Sequence, residues 1–297
     1  MNAPAVVNRS DVSEIEVREG DMAFARRRLG AAAGCRRIGA SVYVVPPGAR
    51  QMPVHVHGDE EEIFYVLSGT GLGFEKGEAY RVGAGDTVVH PPHGRPHTFL
   101  AGDAGLELLA FASGTDTSIT YLPRAKVMWC GPRWVPLDSP HPFRAEGLAG
   151  PLERPEIDPA RPRPANVVAL QDVEAGFGGR RRSLGEAAGA SLAGLNYVTL
   201  HNGETGAPLH CHALEEELFY VLEGSGTLTL GDDEHPLGPG DVVARPPSTG
   251  VAHGLKAGDN GLTYLVYGTR EPGDSVYYPD SGQVRLRGLG VTLTVGG

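Results

Sequence analysis

The chain of 297 residues has few cysteines, no surplus of basic charge and no long apolar run, and each shortage closes off a class of function. Its three cysteines, Cys35, Cys130 and Cys211, are odd in number and scattered. They fit neither a disulfide framework nor a thiolate zinc site, so three reduced thiols are expected. The net charge is −10, with no basic face and no Lys/Arg stripe interleaved with aromatics, which leaves nucleic acid and anionic membrane surfaces unexpected as partners. The sequence contains no run of about 18 apolar residues able to span a bilayer. Residues 1–20 lack the basic start and apolar core of a signal peptide, so the cytoplasm is the expected compartment.

Glycine (43) and proline (24) are plentiful, while apolar residues at 40% and charged residues at 21% are ordinary for a folded protein. Short β-branched or aromatic runs such as ASVYVV, EIFYVLSG, DTVVHPP, LNYVTL, ELFYVLEG and LTYLVYG are each bounded by Gly, Pro, Asp or Asn. Many short strands joined by tight turns point to an all-β sandwich or small barrel. Only residues 26–37, short alanine stretches broken by glycine, hint at anything other than strand.

The chain repeats itself. The segment PVHVHGDEEEIFYVLSGTG from Pro53 returns as PLHCHALEEELFYVLEGSG from Pro208, 155 positions later. The same offset, without a gap, pairs Leu29-Gly30 with Leu184-Gly185, Gly85-Asp86 with Gly240-Asp241, and Pro91-Pro92 with Pro246-Pro247. It then becomes 156, pairing His97 with His253 and Pro123 with Pro279. A period this long is that of a whole domain, so two similar folds are expected on one chain. The expected units are residues 1–131 and 165–297, joined by a connector at 132–164 that holds nine prolines. Proline at that density favours an extended, stiff segment over helix or sheet. Trp129, Trp134 and Phe143 are candidate anchors for it.

In a strand, residues two apart share a face, so His55 and His57 project the same way and Val56 the other. A turn at Gly58-Asp59-Glu60 returns the chain, and Glu62 opens the next strand with Phe64 and Val66 on its face. Two imidazoles and a carboxylate then converge. His210, His212 and Glu217 repeat the pattern, and Cys211 takes the outward place of Val56, which makes it a packing residue. His97 and His253 follow the paired prolines as the fourth candidate ligand of each copy. His93 is a rival to His97, but its repeat partner is Ser248, and the register selects His97. Glu60-Glu61 and Glu215-Glu216 read as solvated turn charge. Phe64, Val66, Phe219 and Val221 are the candidate interior liners.

These residues resemble the cupin family, and the whole chain resembles a bicupin. The family's first motif reads Gly48, His55, His57, Glu62 and Gly69 here, then Gly203 or Gly206, His210, His212, Glu217 and Gly224. Its second motif is matched by Gly85, Pro91 or Pro92, Gly94 and His97, and more loosely by Gly240, Pro246 or Pro247, Gly250 and His253. An asparagine that often follows in cupins is Ala101 and Ala257 in this chain. The resemblance implies two tandem antiparallel β-barrels, each holding up to one divalent metal on three histidines and one glutamate.

Imidazole with carboxylate suits Fe, Mn, Ni, Co or Zn, and four protein ligands on a six-coordinate ion leave two open positions. Absence of thiolate argues against a structural zinc. The expected function is therefore a metal-dependent enzyme on a small organic molecule, with oxygenase (dioxygenase-like) chemistry favoured and an isomerase or decarboxylase as the alternative. A non-catalytic protein that binds or stores a small ligand is the second class. Isomerisation or decarboxylation needs an acid or base beyond the metal shell, for which His93 is the sequence candidate. Arg95, in the loop before His97, is the candidate for a substrate carboxylate. A homo-oligomer is compatible with all of these.

Overall fold

The computed structural model describes residues 6–113, 118–130, 133–135, 141–158 and 160–295. Two eight-stranded and two four-stranded antiparallel sheets make two barrels, one per repeat. In the first barrel the long strand Glu62–Glu75 lies between Asp86–His90 and His97–Ser113, with Ile38–Val45 beyond. In the second, Glu217–Leu230 lies between Asp241–Arg245 and His253–Thr269, with Ala193–Leu200 beyond. The smaller sheets carry the His-x-His pairs. Val56–His57 pairs with Ile119–Leu122, and Cys211–His212 pairs with Ser275–Tyr278.

Period-two alternation sorts the side chains as the sequence pattern requires. Phe64 and Val66 belong to the interior of the first barrel, and Phe219 and Val221 to that of the second. Ile63, Tyr65, Leu218 and Tyr220 face the other way, into one apolar core shared by the two barrels. At its centre Phe111 and Tyr267 stack with ring centroids 4.9 Å apart and planes 4° from parallel. The long strands can bend because of one glycine each. Gly69 and Gly224 both hold φ +83°, and a Cβ on either would sit 2.2 Å from the carbonyl oxygen of Gly105 or Gly261. The ladder shifts register on both sides of each of them.

The barrels exchange their leading strands. Val7–Asn8 pairs with the Asp241–Arg245 strand of the second barrel, while Val167–Ala169 pairs with Asp86–His90 of the first. A second exchange corrects the reading of the acidic runs as solvated turns. Glu61 and Glu216 are both 0% exposed. Glu61 accepts the backbone N–H groups of Ser191, Leu192 and Ala193 at 3.0–3.2 Å, and Glu216 those of Arg36, Arg37 and Ile38 at 2.7–2.9 Å. Each carboxylate thus crosses the seam onto repeat-equivalent amides. The middle residue of each acidic triplet points away from its own ligand face, and that direction leads into the interface.

The proline-rich segment is also more ordered than its composition implies. Arg133–Val135 adds a strand to the first barrel's smaller sheet, and Pro142–Leu148 is a helix. Proline is compatible with the helix because it stands at the first helical position, where no N–H is needed, behind a His141 cap. Phe143 packs edge-on to Phe24 at 6.1 Å as an anchor, while the Trp134 side chain lies outside the described residues. Glu146, fully buried, reaches the equally buried Arg50 at 2.8 Å, and Arg50 also holds Asp21 at 2.6 Å. The hint of non-strand structure near 26–37 is a short helix, Leu29–Ala33, ended by Gly34 in the left-handed region. Among the described residues no helix is long and apolar enough to cross a membrane.

Candidate metal centres

His55 and His97 lock together by reciprocal backbone hydrogen bonds of 3.2 and 2.8 Å, and His210 and His253 do the same at 3.1 and 2.8 Å. This brings the last predicted ligand onto the first. In the first barrel Glu62 Oε2 lies 3.4 Å from His55 Nε2, 3.2 Å from His57 Nε2 and 2.9 Å from His97 Nε2. In the second, Glu217 Oε2 lies 3.7, 3.4 and 3.0 Å from Nε2 of His210, His212 and His253. All eight sequence-predicted ligands are therefore gathered, four in each barrel. His55, His57 and Glu62, and likewise His210, Glu217 and His253, place their ligand atoms within 4.8 Å of one another, close enough to share one ion.

Five of the six outer nitrogens have partners of the kind that orient a metal-binding ring, and His253 Nδ1 is buried without one. His55 Nδ1 meets the Pro53 carbonyl at 2.8 Å and His210 Nδ1 the Pro208 carbonyl at 2.6 Å. His97 Nδ1 meets the Arg95 carbonyl at 3.1 Å. His57 and His212 differ. His57 Nδ1 is 3.0 Å from the Thr120 hydroxyl, whereas His212 Nδ1 is 2.7 Å from the Asp274 carboxylate, a fully buried group. His212, Glu215 and Asp274 also form a compact trio, but it uses the outer nitrogen of His212 and is bordered by Arg287. We read that trio as support for the ring.

Electrostatics follow from the convergence. Burial alone would raise the Glu62 and Glu217 carboxyls, yet the surrounding imidazoles hold both well below the usual carboxylate range. Burial likewise opposes charge on His57, but Glu62, with Glu60 and Asp59 nearby, brings its pKa up to about 9. His97 moves the other way, to about 3, through burial and the neighbouring His90. In the second barrel His212 is raised, because Asp274 and Glu217 outweigh its burial, and His253 is lowered by burial.

His93 and Arg95 do not join the cluster. Both are exposed, and Arg95 Nη1 lies 3.3 Å from Glu78 at the surface. His93 occupies a turn with φ +57°, and its backbone N–H donates to the His57 carbonyl at 2.9 Å. Ser248 repeats that geometry with φ +58° and a 3.0 Å bond to the His212 carbonyl. In both repeats the backbone of this loop braces the ligand strand, and in the second the Ser248 hydroxyl also donates to the Ala213 carbonyl at 2.6 Å.

Two interior residues escaped the sequence reading. His90 stands opposite Glu62 in the ladder and stacks on His97, with centroids 3.6 Å apart and planes 5° from parallel. Its Nδ1 is 3.0 Å from the buried Glu75 carboxylate, which Asn166 also reaches at 2.9 Å. Its Nε2 is buried without a hydrogen-bond partner. The repeat partner of His90 is Arg245, opposite Glu217, and that of Glu75 is Leu230. The available signal was period two: in DTVVH and DVVAR the final polar residue shares a face with an apolar interior one.

Comparison with known proteins agrees with this architecture. The family model described as "Cupin domain" matches residues 41–111 and 196–266. An uncharacterized protein of Methanocaldococcus jannaschii is 42% identical over 41 residues, covering 14% of this chain and about a third (33%) of that protein's length. Among solved structures, a deletion variant of Bacillus subtilis oxalate decarboxylase superposes with TM-score 0.61 at 18% identity, covering 90% of this chain and 77% of that one. A point variant of the same enzyme gives TM-score 0.63 at 17% identity, with 95% and 81% covered. A third structure, described by the Mn(II) centres of that decarboxylase, gives TM-score 0.58 at 18% identity, with 90% and 77% covered. At such identities the likeness establishes the shared fold. With a cupin match in each barrel and the ligand pattern present twice, this chain is a bicupin of the cupin superfamily.

Proposed function

We propose that this bicupin is a metal-dependent enzyme acting on a small organic acid, with one divalent transition metal held by His55, His57, Glu62 and His97 and another by His210, His212, Glu217 and His253. The observation that carries this reading is the convergence, in both barrels, of three imidazole Nε2 atoms on one oxygen of a part-buried glutamate. A core histidine in a merely structural role has partners for both ring nitrogens. Here three Nε2 atoms crowd onto one carboxylate oxygen, so that His57 Nε2, 3.2 Å from Glu62, is left without a well-aligned hydrogen bond while its Nδ1 is held from outside. The donor set suits Fe, Mn, Ni, Co or Zn, and such an ion supplies Lewis acidity toward a bound carboxylate or hydroxyl.

Decarboxylation takes precedence over the oxygenase chemistry that the sequence favours, because the first barrel holds the acid–base group that sequence reading could not find. Breaking the bond to a carboxylate releases carbon dioxide and leaves an electron pair on the remaining carbon, which takes up one proton. His90 Nε2 is placed inside the wall beside His97 to hold that proton, with Glu75 positioning the ring through Nδ1. Phe64 and Phe99 pack against the His90 ring at 5.7 and 6.1 Å and keep water from it. The fold shared with oxalate decarboxylases supports the same choice.

The test begins with elemental analysis of protein purified without a chelating tag, comparing wild type with His55→Ala/His57→Ala and His210→Ala/His212→Ala. Two metal equivalents are expected, with one lost in each double variant. Metal-loaded protein is then offered small mono- and dicarboxylic acids while carbon dioxide and dissolved oxygen are followed together. Carbon dioxide release without oxygen uptake supports the proposal. Stoichiometric oxygen uptake would restore the oxygenase reading, and tight binding without turnover would favour a carrier.

A further inference from the structure

Arg245 has no part in the chemistry proposed above, yet it is placed beside it. It ends the Asp241–Arg245 strand in register with Glu217. Val242 and Ala244 turn into the core between the barrels, while Val243, which shares a face with Arg245, belongs to the interior of the second barrel. Arg245 therefore stands on the interior face of its strand, where its charge acts on Glu217 and His253, and the residue is only 9% exposed. Nη2 donates to the Val251 carbonyl at 2.9 Å and reaches the Thr249 hydroxyl at 3.5 Å. Nε is buried with no partner. Among the described residues, no carboxylate lies within ion-pair distance of this side chain.

A buried cation without a counter-ion is costly, and guanidinium does not escape the cost by losing its proton. Arg50 shows how this chain treats a buried arginine kept for structure: two carboxylates, Asp21 and Glu146, close on it. Arg245 lacks such closure and has a free donor edge. The surroundings sharpen the contrast when the sites are loaded. A divalent ion on three neutral imidazoles and one carboxylate keeps one excess positive charge, and Arg245 adds a second. In the first barrel the equivalent layer is His90 backed by the Glu75 carboxylate, so that a carboxylate is already in contact with it.

We propose that the second barrel is the carboxylate-recognising site of the protein, with the Arg245 guanidinium receiving a carboxylate group of a small organic acid bound within that barrel. A planar fork with free N–H groups matches a carboxylate in shape as well as charge. The proposal rests on the metal-dependent reading only for the second attachment point of that acid. The two barrels would then differ in role, each toward its own bound molecule, with Arg245 on the wall of one and His90 on the wall of the other. Neither Arg245 nor His90 has a like residue at the other repeat's position.

The experiment is calorimetric titration of oxalate, malonate and lactate into protein loaded with Mn(II), for wild type, Arg245→Met, Arg245→Lys and the surface control Arg95→Ala. Metal content is measured on each sample, and the titration is repeated on metal-stripped protein. Loss of a charged hydrogen-bonding partner predicts about 10- to 100-fold weaker binding in Arg245→Met. Arg245→Lys should lie between, since it keeps charge and loses the fork, and Arg95→Ala should match wild type. Should Arg245→Met fail to fold, Arg245→Lys carries the test. Equal affinity in wild type and the Arg245 variants, with both metals retained, overturns this assignment and leaves the metal reading intact. No binding of any of the three acids to wild type also overturns it. Arg245-dependent binding by a protein that never retains metal would sink the metal reading alone.

Discussion

In the first barrel the wall opposite the ligand carboxylate carries His90 on Glu75, and in the second it carries Arg245 beside a repeat position occupied by Leu230. The inner layer, three imidazoles around a glutamate, is the same in both. So is the seam, where Glu61 and Glu216 cap equivalent amides of the opposite repeat. Divergence is concentrated in the layer between. Ligand geometry and interface packing each involve many groups that must fit simultaneously, so a change in either is penalised at once. A side chain lining the cavity meets mainly whatever enters it, and it can vary with the ligand. The comparison thus separates what holds the barrels together from what distinguishes their chemistry.

The largest effect should come from the part of the molecule that is equal in both halves. Glu61→Ala and Glu216→Ala each strand one buried and two part-buried backbone N–H groups, so each should cost about 2–4 kcal/mol of unfolding free energy. Urea denaturation monitored by far-UV circular dichroism reads this directly. Equal losses confirm that the seam is symmetric in energy as it is in geometry. A loss under about 1 kcal/mol in one variant and not the other would break that symmetry.

A smaller effect should expose where the barrels differ. Asp274 holds His212 with a charge, while Thr120 holds His57 with a neutral hydroxyl. Removing the outer partner of a ligating histidine typically weakens metal binding about 10- to 100-fold. Asp274→Asn should reach that range at the second site, and Thr120→Val should stay below it at the first. Competition with a fluorescent chelator, read site by site in the two double-histidine backgrounds, orders them. The reverse order would mean that ring orientation, and not charge, governs affinity here.

Much of this is legible in the sequence alone. The offset of 155 and the spacing of histidines and glutamate identified eight residues that the structure brings together, because a duplicated pattern constrains register twice. Alternation also sorted Phe64 and Val66 from Ile63 and Tyr65 correctly. What escaped was decided by partners remote in sequence. Glu61 looked like turn charge because its amide partners lie about 130 residues away. Arg95 looked like a substrate ligand because the loop's proximity to His97 says nothing about where a long side chain points, and it turns to Glu78. His90 escapes because its partner Glu75 lies on a different strand, at a sequence distance that no motif marks.

The smallest effect belongs to a cluster present in the first barrel alone. Asp21 accepts two hydrogen bonds from the buried Arg50, at 2.6 and 3.0 Å, and one from the Leu152 amide at 3.0 Å. Burial works to raise its carboxyl, but these contacts with Arg50 and Leu152 prevail and hold it below the ordinary value of 3.8. A group with a depressed folded-state pKa stabilises the fold above its unfolded pKa and loses that contribution as pH falls through the folded one. The stability difference between wild type and Asp21→Asn should therefore be full at neutral pH and shrink below about pH 4. The second barrel has Thr205 and Gly176 at the equivalent positions, so no substitution there has a matching acid-linked effect. Urea titrations at stepped pH measure the gap, and a gap constant from neutrality to pH 3 would mean that the Asp21 carboxyl contributes no acid-linked stability.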